Sequence, residues 1–128
     1  DGVVSTAVGH ALADSRPHTL IVGDLSFFYD RNGLWLNREF PSNLKIVILN
    51  DGGGGIFNMI PGPADQGELP KLFTVPHSRT AELTASEFGL GYRSAKCDEE
   101  IIGFRNGILE IFTEMETNRQ VFKTFRRK

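Results

Sequence analysis

Two short apolar runs without alternation constrain this chain more than any other feature. His18-Thr-Leu-Ile-Val-Gly-Asp24 and Leu44-Lys-Ile-Val-Ile-Leu49 are too short for buried helices. Unbroken apolarity of that length reads as strands buried on both faces. Helical sequence lies before and between them. Residues 3 to 14 place Val4, Val8, Ala11 and Leu12 on one face, and Arg16-Pro17 ends the turn. Ser26 offers a cap for a second helix to about Glu39, carrying Phe27, Leu34 and Trp35, before Pro41 breaks it.

The remainder repeats the alternation. Pro61, Pro63, Pro70 and Pro76 mark residues 61 to 78 as a long loop, and such loops are usually functional. A helix is expected from about 80 to 89 and a short strand from Tyr92 to Lys96. Asp98 is expected to cap a helix to Arg105, ended by Asn106-Gly107, with a last strand from Ile108 to Glu114. Thr117 and Gln120 have capping-box spacing for a final helix that carries Val121, Phe122 and Phe125. Strands alternating with helices predict an α/β fold, a three-layer, doubly wound, mostly parallel sheet with helices on both faces.

Composition narrows the functional classes. A length of 128 residues fits one domain with a real core, 40% of it apolar and 23% charged. Net charge is −2, and the basic tail Arg126-Arg127-Lys128 is too short to argue for nucleic acid. No apolar run approaches a membrane span, and none resembles a signal peptide. The single cysteine, Cys97, excludes an internal disulfide and suits a cytoplasmic setting. The chain opens on Asp1-Gly2-Val3-Val4 and enters helical sequence at once. The expectation is therefore a single domain, residues 1–128, cut from a longer polypeptide.

In doubly wound sheets, ligands sit beyond the carboxyl ends of the strands. There the first run ends in Gly23-Asp24-Leu25-Ser26 and the second in Asn50-Asp51-Gly52-Gly53-Gly54-Gly55, with 24 residues between Leu25 and Asn50. The two aspartates thus take equivalent strand-end positions. A magnesium ion shared with a diphosphate uses carboxylates and phosphate oxygens in near-octahedral geometry. Asp24 and Asp51 can each supply a carboxylate oxygen, and a glycine carbonyl can supply another. The helix begun at Ser26 and the glycine run, Gly53 and Gly54 included, present backbone amides suited to an anion. Each part has a plainer reading: Asp24 as a helix cap, the glycines as a flexible turn. No lysine follows the glycines as a P-loop requires.

These strings resemble the motif of thiamine-diphosphate enzymes, Gly-Asp-Gly, a similar gap, then Asn-Asn. Asp1-Gly-Val-Val-Ser-Thr-Ala, Val22-Gly-Asp-Leu-Ser with Tyr29-Asp30 and Asn32, and Gly53-Gly-Gly-Ile-Phe-Asn-Met-Ile-Pro61 are more specifically similar to the carboligases of menaquinone biosynthesis. The likeness is dense to about Pro61 and rests mainly on element order beyond it. It implies thiamine diphosphate and Mg2+ as cofactors, with Asp24, Asp51 and the Gly53 carbonyl on the metal. Leu25 and Ser26 would lie against the diphosphate, with Ile56, Phe57 and Ile60 bordering the thiazolium and substrate. It also implies decarboxylation of 2-oxoglutarate and transfer of the succinyl unit to isochorismate, in a homodimer or tetramer. The activating glutamate and the substrate arginines lie upstream in that family, so the resemblance implies that this is the C-terminal domain, no catalytic residue is expected here and the chain alone should be inactive. Asp51 departs from the family by standing where asparagine is usual.

Two other readings stay open: a different thiamine-diphosphate decarboxylase or acetolactate-synthase-like enzyme, and a non-catalytic metal- or nucleotide-binding module. His10, His18 and His77 have no zinc-site spacing. His77 and Arg79 read as a solvated loop, Cys97 lacks a partner, and Phe27-Phe28-Tyr29, Phe122 and Phe125 read as core.

Overall fold

The computed structural model describes residues 2–36, 40–62 and 67–126. It is an α/β fold on one four-stranded, all-parallel sheet with helices on both faces. Helix α1 (Val3–Ala13) leads into β1 (His18–Gly23), and α2 (Asp24–Asp30) continues as a 3-10 turn over Arg31–Leu36. Strand β2 (Leu44–Asn50) is followed by a second 3-10 turn, Gly55–Asn58, and the short helices α3 (Leu69–Leu72) and α4 (Glu82–Glu87). Then come β3 (Tyr92–Ala95), α5 (Asp98–Ile101), β4 (Gly107–Phe112) and α6 (Met115–Arg126). Sheet order is β1-β2-β4-β3, and the register sets Gly23 opposite Leu49 and Ile48 opposite Glu110.

Successive side chains of a strand point to opposite faces, and the core divides accordingly. Ile46 and Ile48 join Val4, Val8, Phe27, Ala85 and Ile108 in the larger cluster, under α1, α2 and α4. Val47, Ala95 and Leu109 form the smaller one on the other face, with Ile101 and Phe104 against it. Asp30 ties the first layer together by accepting the Gly2 amide at 2.9 Å and the Val4 amide at 2.6 Å. Those amides, the Gly2 bond foremost, hold the Asp30 carboxyl below its ordinary range.

At the end of α1, Asp14 accepts from the Arg16 guanidinium at 2.7 Å and meets His18 Nε2 at 2.9 Å. The Arg16 side chain, then His18, lower its pKa to about 2 from 3.8. A depressed folded-state pKa contributes stability that is present above the unfolded value and lost as pH falls through the folded one. Melting temperature should therefore fall between pH 4 and pH 2, and less steeply in Asp14→Asn.

Several expectations need correction. Strand β1 is not buried on both faces: it is a sheet edge, and Ile21 is 65% exposed. Helices cover only the face that carries Leu20 and Val22. Ser26 does not cap the second helix, which starts at Asp24 and tightens to 3-10 geometry after Asp30; residues 37–39 of the expected helix lie outside the described residues. Asp98 is the first residue of α5, not its cap, and α5 ends at Ile101. Thr117 lies inside α6, its hydroxyl donating to Glu114 at 3.1 Å, so it makes no capping box. Phe27 is core, but Leu12, Tyr29, Trp35, Phe122 and Phe125 are exposed. The long loop contains α3, while Pro63, like Arg127 and Lys128, lies outside the described residues.

Candidate functional site

Because β1 and β2 are parallel and in register, Asp24 and Asp51 emerge at the same carboxyl end of the sheet. Both line one cleft of about 630 Å3, together with Leu25, Ser26, Gly53, Gly54, Ile56 and Phe57. Ile60 is exposed and stands outside that lining. Gly23, Gly55, Leu49, Met59, Thr113 and Asn118 complete the cleft, the last four of them not expected from the sequence. Asn118 comes from α6, with its amide donating to Thr113 at 3.0 Å. No local pattern marked it, because its position depends on how α6 returns against the Gly55–Asn58 turn.

The two carboxylates sit in different surroundings. Asp24 is 3% exposed. Its Oδ1 accepts the Leu25 amide at 2.6 Å, and its Oδ2 accepts those of Gly52 at 3.0 Å and Gly53 at 2.9 Å. Asp51 is half-buried. Burial first, and then the negative charge of Asp24, push its carboxyl above the ordinary value, against hydrogen bonds from Gly53 and Asn118. Two acids close enough to repel in a partly apolar cleft are a donor set that a divalent cation would neutralise.

The glycine run does not offer the open amide nest that its composition suggests. Its amides face protein oxygens: Gly52 and Gly53 donate to Asp24, and Gly54 to the Thr74 carbonyl at 2.7 Å. Close approach explains the glycines. A Cβ on Gly53 would run into the Thr74 carbonyl, and one on Gly54 would lie 2.9 Å from that of Phe73. Gly53 also has φ of +151°, which side-chain-bearing residues rarely adopt. Residues 73–77 thus form a strap across the run, closed by the His77 amide on the Gly52 carbonyl at 2.9 Å.

Behind the cleft lies a buried polar network. Glu110, fully buried on β4, accepts Asn50 Nδ2 at 2.7 Å, the Ala81 amide at 2.9 Å and the Tyr92 hydroxyl at 2.7 Å. Asn50 also donates to the Arg79 carbonyl and accepts the Gly52 amide, each at 3.0 Å. One carboxylate therefore joins the end of β2, the segment leading into α4, and β3. His77 was expected in a solvated loop. Instead its side chain is 10% exposed, with Nε2 3.3 Å from Asp24 Oδ2.

Among the described residues no helix is long and apolar enough to cross a membrane. No family model matches the chain. It is similar to the 2-succinyl-5-enolpyruvyl-6-hydroxy-3-cyclohexene-1-carboxylate synthase of Cytophaga hutchinsonii, at 45% identity over 99% of this chain and 24% of that protein. The synthase of the same name from Christiangramia forsetii is 41% identical over 94% of the chain and 22% of its own length. That from Desulfotalea psychrophila is 40% identical over 89% and 22%. The chain thus spans about a quarter of the curated relatives it matches.

Proposed function

The chain belongs to the family of 2-succinyl-5-enolpyruvyl-6-hydroxy-3-cyclohexene-1-carboxylate synthases, and from that premise we propose that it is the thiamine-diphosphate- and magnesium-binding domain of such an enzyme. The observation that carries the reading is the convergence of Asp24 and Asp51, from the ends of adjacent parallel strands, on one cleft. In it, Asp24 and Asp51 hold Mg2+ with a backbone oxygen of Gly53, and the ion in turn holds the diphosphate. Leu25 and Ser26 flank the diphosphate end. Leu49, Ile56, Phe57 and Met59 provide an apolar wall for the ring portion of the cofactor and exclude water from it. When bound, thiamine diphosphate supplies a thiazolium carbon that accepts and stabilises the electron pair released on decarboxylation.

On this reading the full-length enzyme acts on 2-oxoglutarate and isochorismate, and the present residues contribute cofactor anchorage and part of the pocket wall. Calorimetric titration of the full-length protein with thiamine diphosphate, with and without magnesium, tests the site. Magnesium-dependent binding is expected, with ATP and magnesium as the comparison. Preferential binding of ATP would replace this reading with that of a nucleotide-binding module.

Asp51 gives a sharper test. Asn at this position keeps a ligand oxygen while removing the charge that burial and Asp24 disfavour. Asp51→Asn should raise the melting temperature by about 2 °C. At saturating magnesium it should tighten thiamine diphosphate binding about tenfold, near 1.4 kcal/mol. Weaker binding at saturating magnesium would show that the second carboxylate does more for the metal than it costs in repulsion of the diphosphate.

A further inference from the structure

We infer that His77 is the positioning residue for Asp24, a role that rests on the proposed reading of Asp24 as a metal ligand. The strap brings it there from the proline-containing loop. Hydrogen bonds at Gly54–Thr74 and Gly52–His77 fasten the strap to the glycine run. Between them Val75 takes φ of +43°, an unfavourable region for a β-branched residue that persists only where surrounding contacts hold it. The strap's path is therefore enforced, and it delivers the imidazole to one place.

The ring's orientation follows from its neighbours. Nδ1 accepts the Arg79 amide at 3.1 Å, so it carries the lone pair and the proton resides on Nε2. Phe28 packs edge-on against the ring, 5.4 Å between centroids, and blocks its rotation. The Nε2–H is buried and makes no well-aligned hydrogen bond, yet it lies 3.3 Å from Asp24 Oδ2. A buried donor with no other hydrogen-bond partner, 3.3 Å from a carboxylate oxygen, is placed to restrain that carboxylate electrostatically.

The side of approach matters. His77 lines a separate cavity of about 510 Å3 with Phe28, Arg31 and Arg79, and does not line the cleft that Asp24 and Asp51 share. It therefore contacts Asp24 from behind, leaving the cleft side of that carboxylate to the cation. Outer partners of this kind orient a ligand, and losing one typically weakens metal binding about 10- to 100-fold.

The test compares His77→Leu, which removes the donor, with His77→Gln, whose amide nitrogen can take the place of Nε2. Thiamine diphosphate is titrated calorimetrically into each full-length variant at stepped magnesium concentrations, and melting temperatures are recorded without either ligand. His77→Leu should raise the half-saturating magnesium concentration about tenfold or more. At saturating magnesium its cofactor affinity should approach that of the unmodified protein, and His77→Gln should restore most of the magnesium response. Unchanged magnesium dependence in His77→Leu overturns the proposal. So does an equal loss in both variants that tracks a drop in melting temperature, which would mark His77 as packing only. Asp24→Asn, run in parallel, separates the two levels: if it keeps full magnesium-dependent binding, the metal reading of Asp24 falls and the role of His77 falls with it. If only Asp24→Asn is impaired, the site stands and the His77 assignment alone fails.

Discussion

Glu110→Ala is expected to destabilise the domain by about 3–5 kcal/mol, a large fraction of the stability of a typical domain. The carboxylate is fully buried and accepts from Asn50, Ala81 and Tyr92. Alanine removes all three acceptor contacts and opens a cavity. Asn50 retains the Arg79 carbonyl, but the Ala81 amide loses its partner at the start of α4. Hydrogen bonds to charged groups contribute about 1.5–3 kcal/mol each, and an unpaired buried donor costs about 1–3 kcal/mol. These terms overlap, so their sum is an upper bound. Glu110→Gln should cost less, about 1–2 kcal/mol, because it fills the space but presents one amide donor among donors. Denaturant unfolding checks both, and an alanine variant within about 1 kcal/mol of the unmodified protein would show the network to be dispensable.

The same network makes an alkaline prediction. Burial, and next the Glu110 carboxylate, raise the Tyr92 hydroxyl well above its ordinary pKa of 10.0. An acid held neutral in the fold loses its stabilising contribution as pH rises through the unfolded value. Above about pH 10, stability should therefore fall more steeply in the unmodified protein than in Tyr92→Phe.

Periodicity revealed the parallel order of the fold and the pairing of Asp24 with Asp51, since both follow from strand length and strand ends. It could not reveal that β1 lies at an edge. An unbroken apolar run is equally compatible with one covered face or two, and only sheet order decides. Ser26 is misleading because Asp24, two residues earlier, spends its carboxylate on Gly52 and Gly53 and becomes the first helical residue itself. His77 and Glu110 were illegible for another reason. Their roles depend on partners drawn from separate stretches of chain, and neither has a local pattern to betray it. The glycine run is conspicuous in the sequence, but its cause is not: Gly53 and Gly54 are required by the carbonyls of Thr74 and Phe73 in the strap, which is distant in sequence.

Asp24→Ala is expected to reduce magnesium-dependent cofactor binding more than about 100-fold, beyond the 10- to 100-fold typical of an outer-shell partner. It should also loosen the domain. From sequence alone a strand-end carboxylate reads as nearly neutral for stability, within about 0.5 kcal/mol. At 3% exposure, accepting the amides of Leu25, Gly52 and Gly53, it is not a surface group. Gly52 keeps a second acceptor in Asn50 and Gly53 one in Asp51, so the main loss is the Leu25 amide's acceptor, at about 1–3 kcal/mol. Binding loss in the alanine variant thus has two sources, a missing ligand and a slackened glycine turn. Asp24→Asn divides them in part, because its carbonyl oxygen can still accept the Gly52 and Gly53 amides while the charge is gone and its NH2 meets the Leu25 amide. The asparagine variant should cost about 1–2 kcal/mol and bind magnesium and cofactor more weakly than the unmodified protein but better than alanine, because one ligand oxygen remains. Calorimetry at stepped magnesium concentrations, beside a melting curve for each variant, reads both effects. If Asp24→Asn binds normally and only Asp24→Ala fails, the carboxylate is the clasp of the glycine turn, and the cation must be held by other groups.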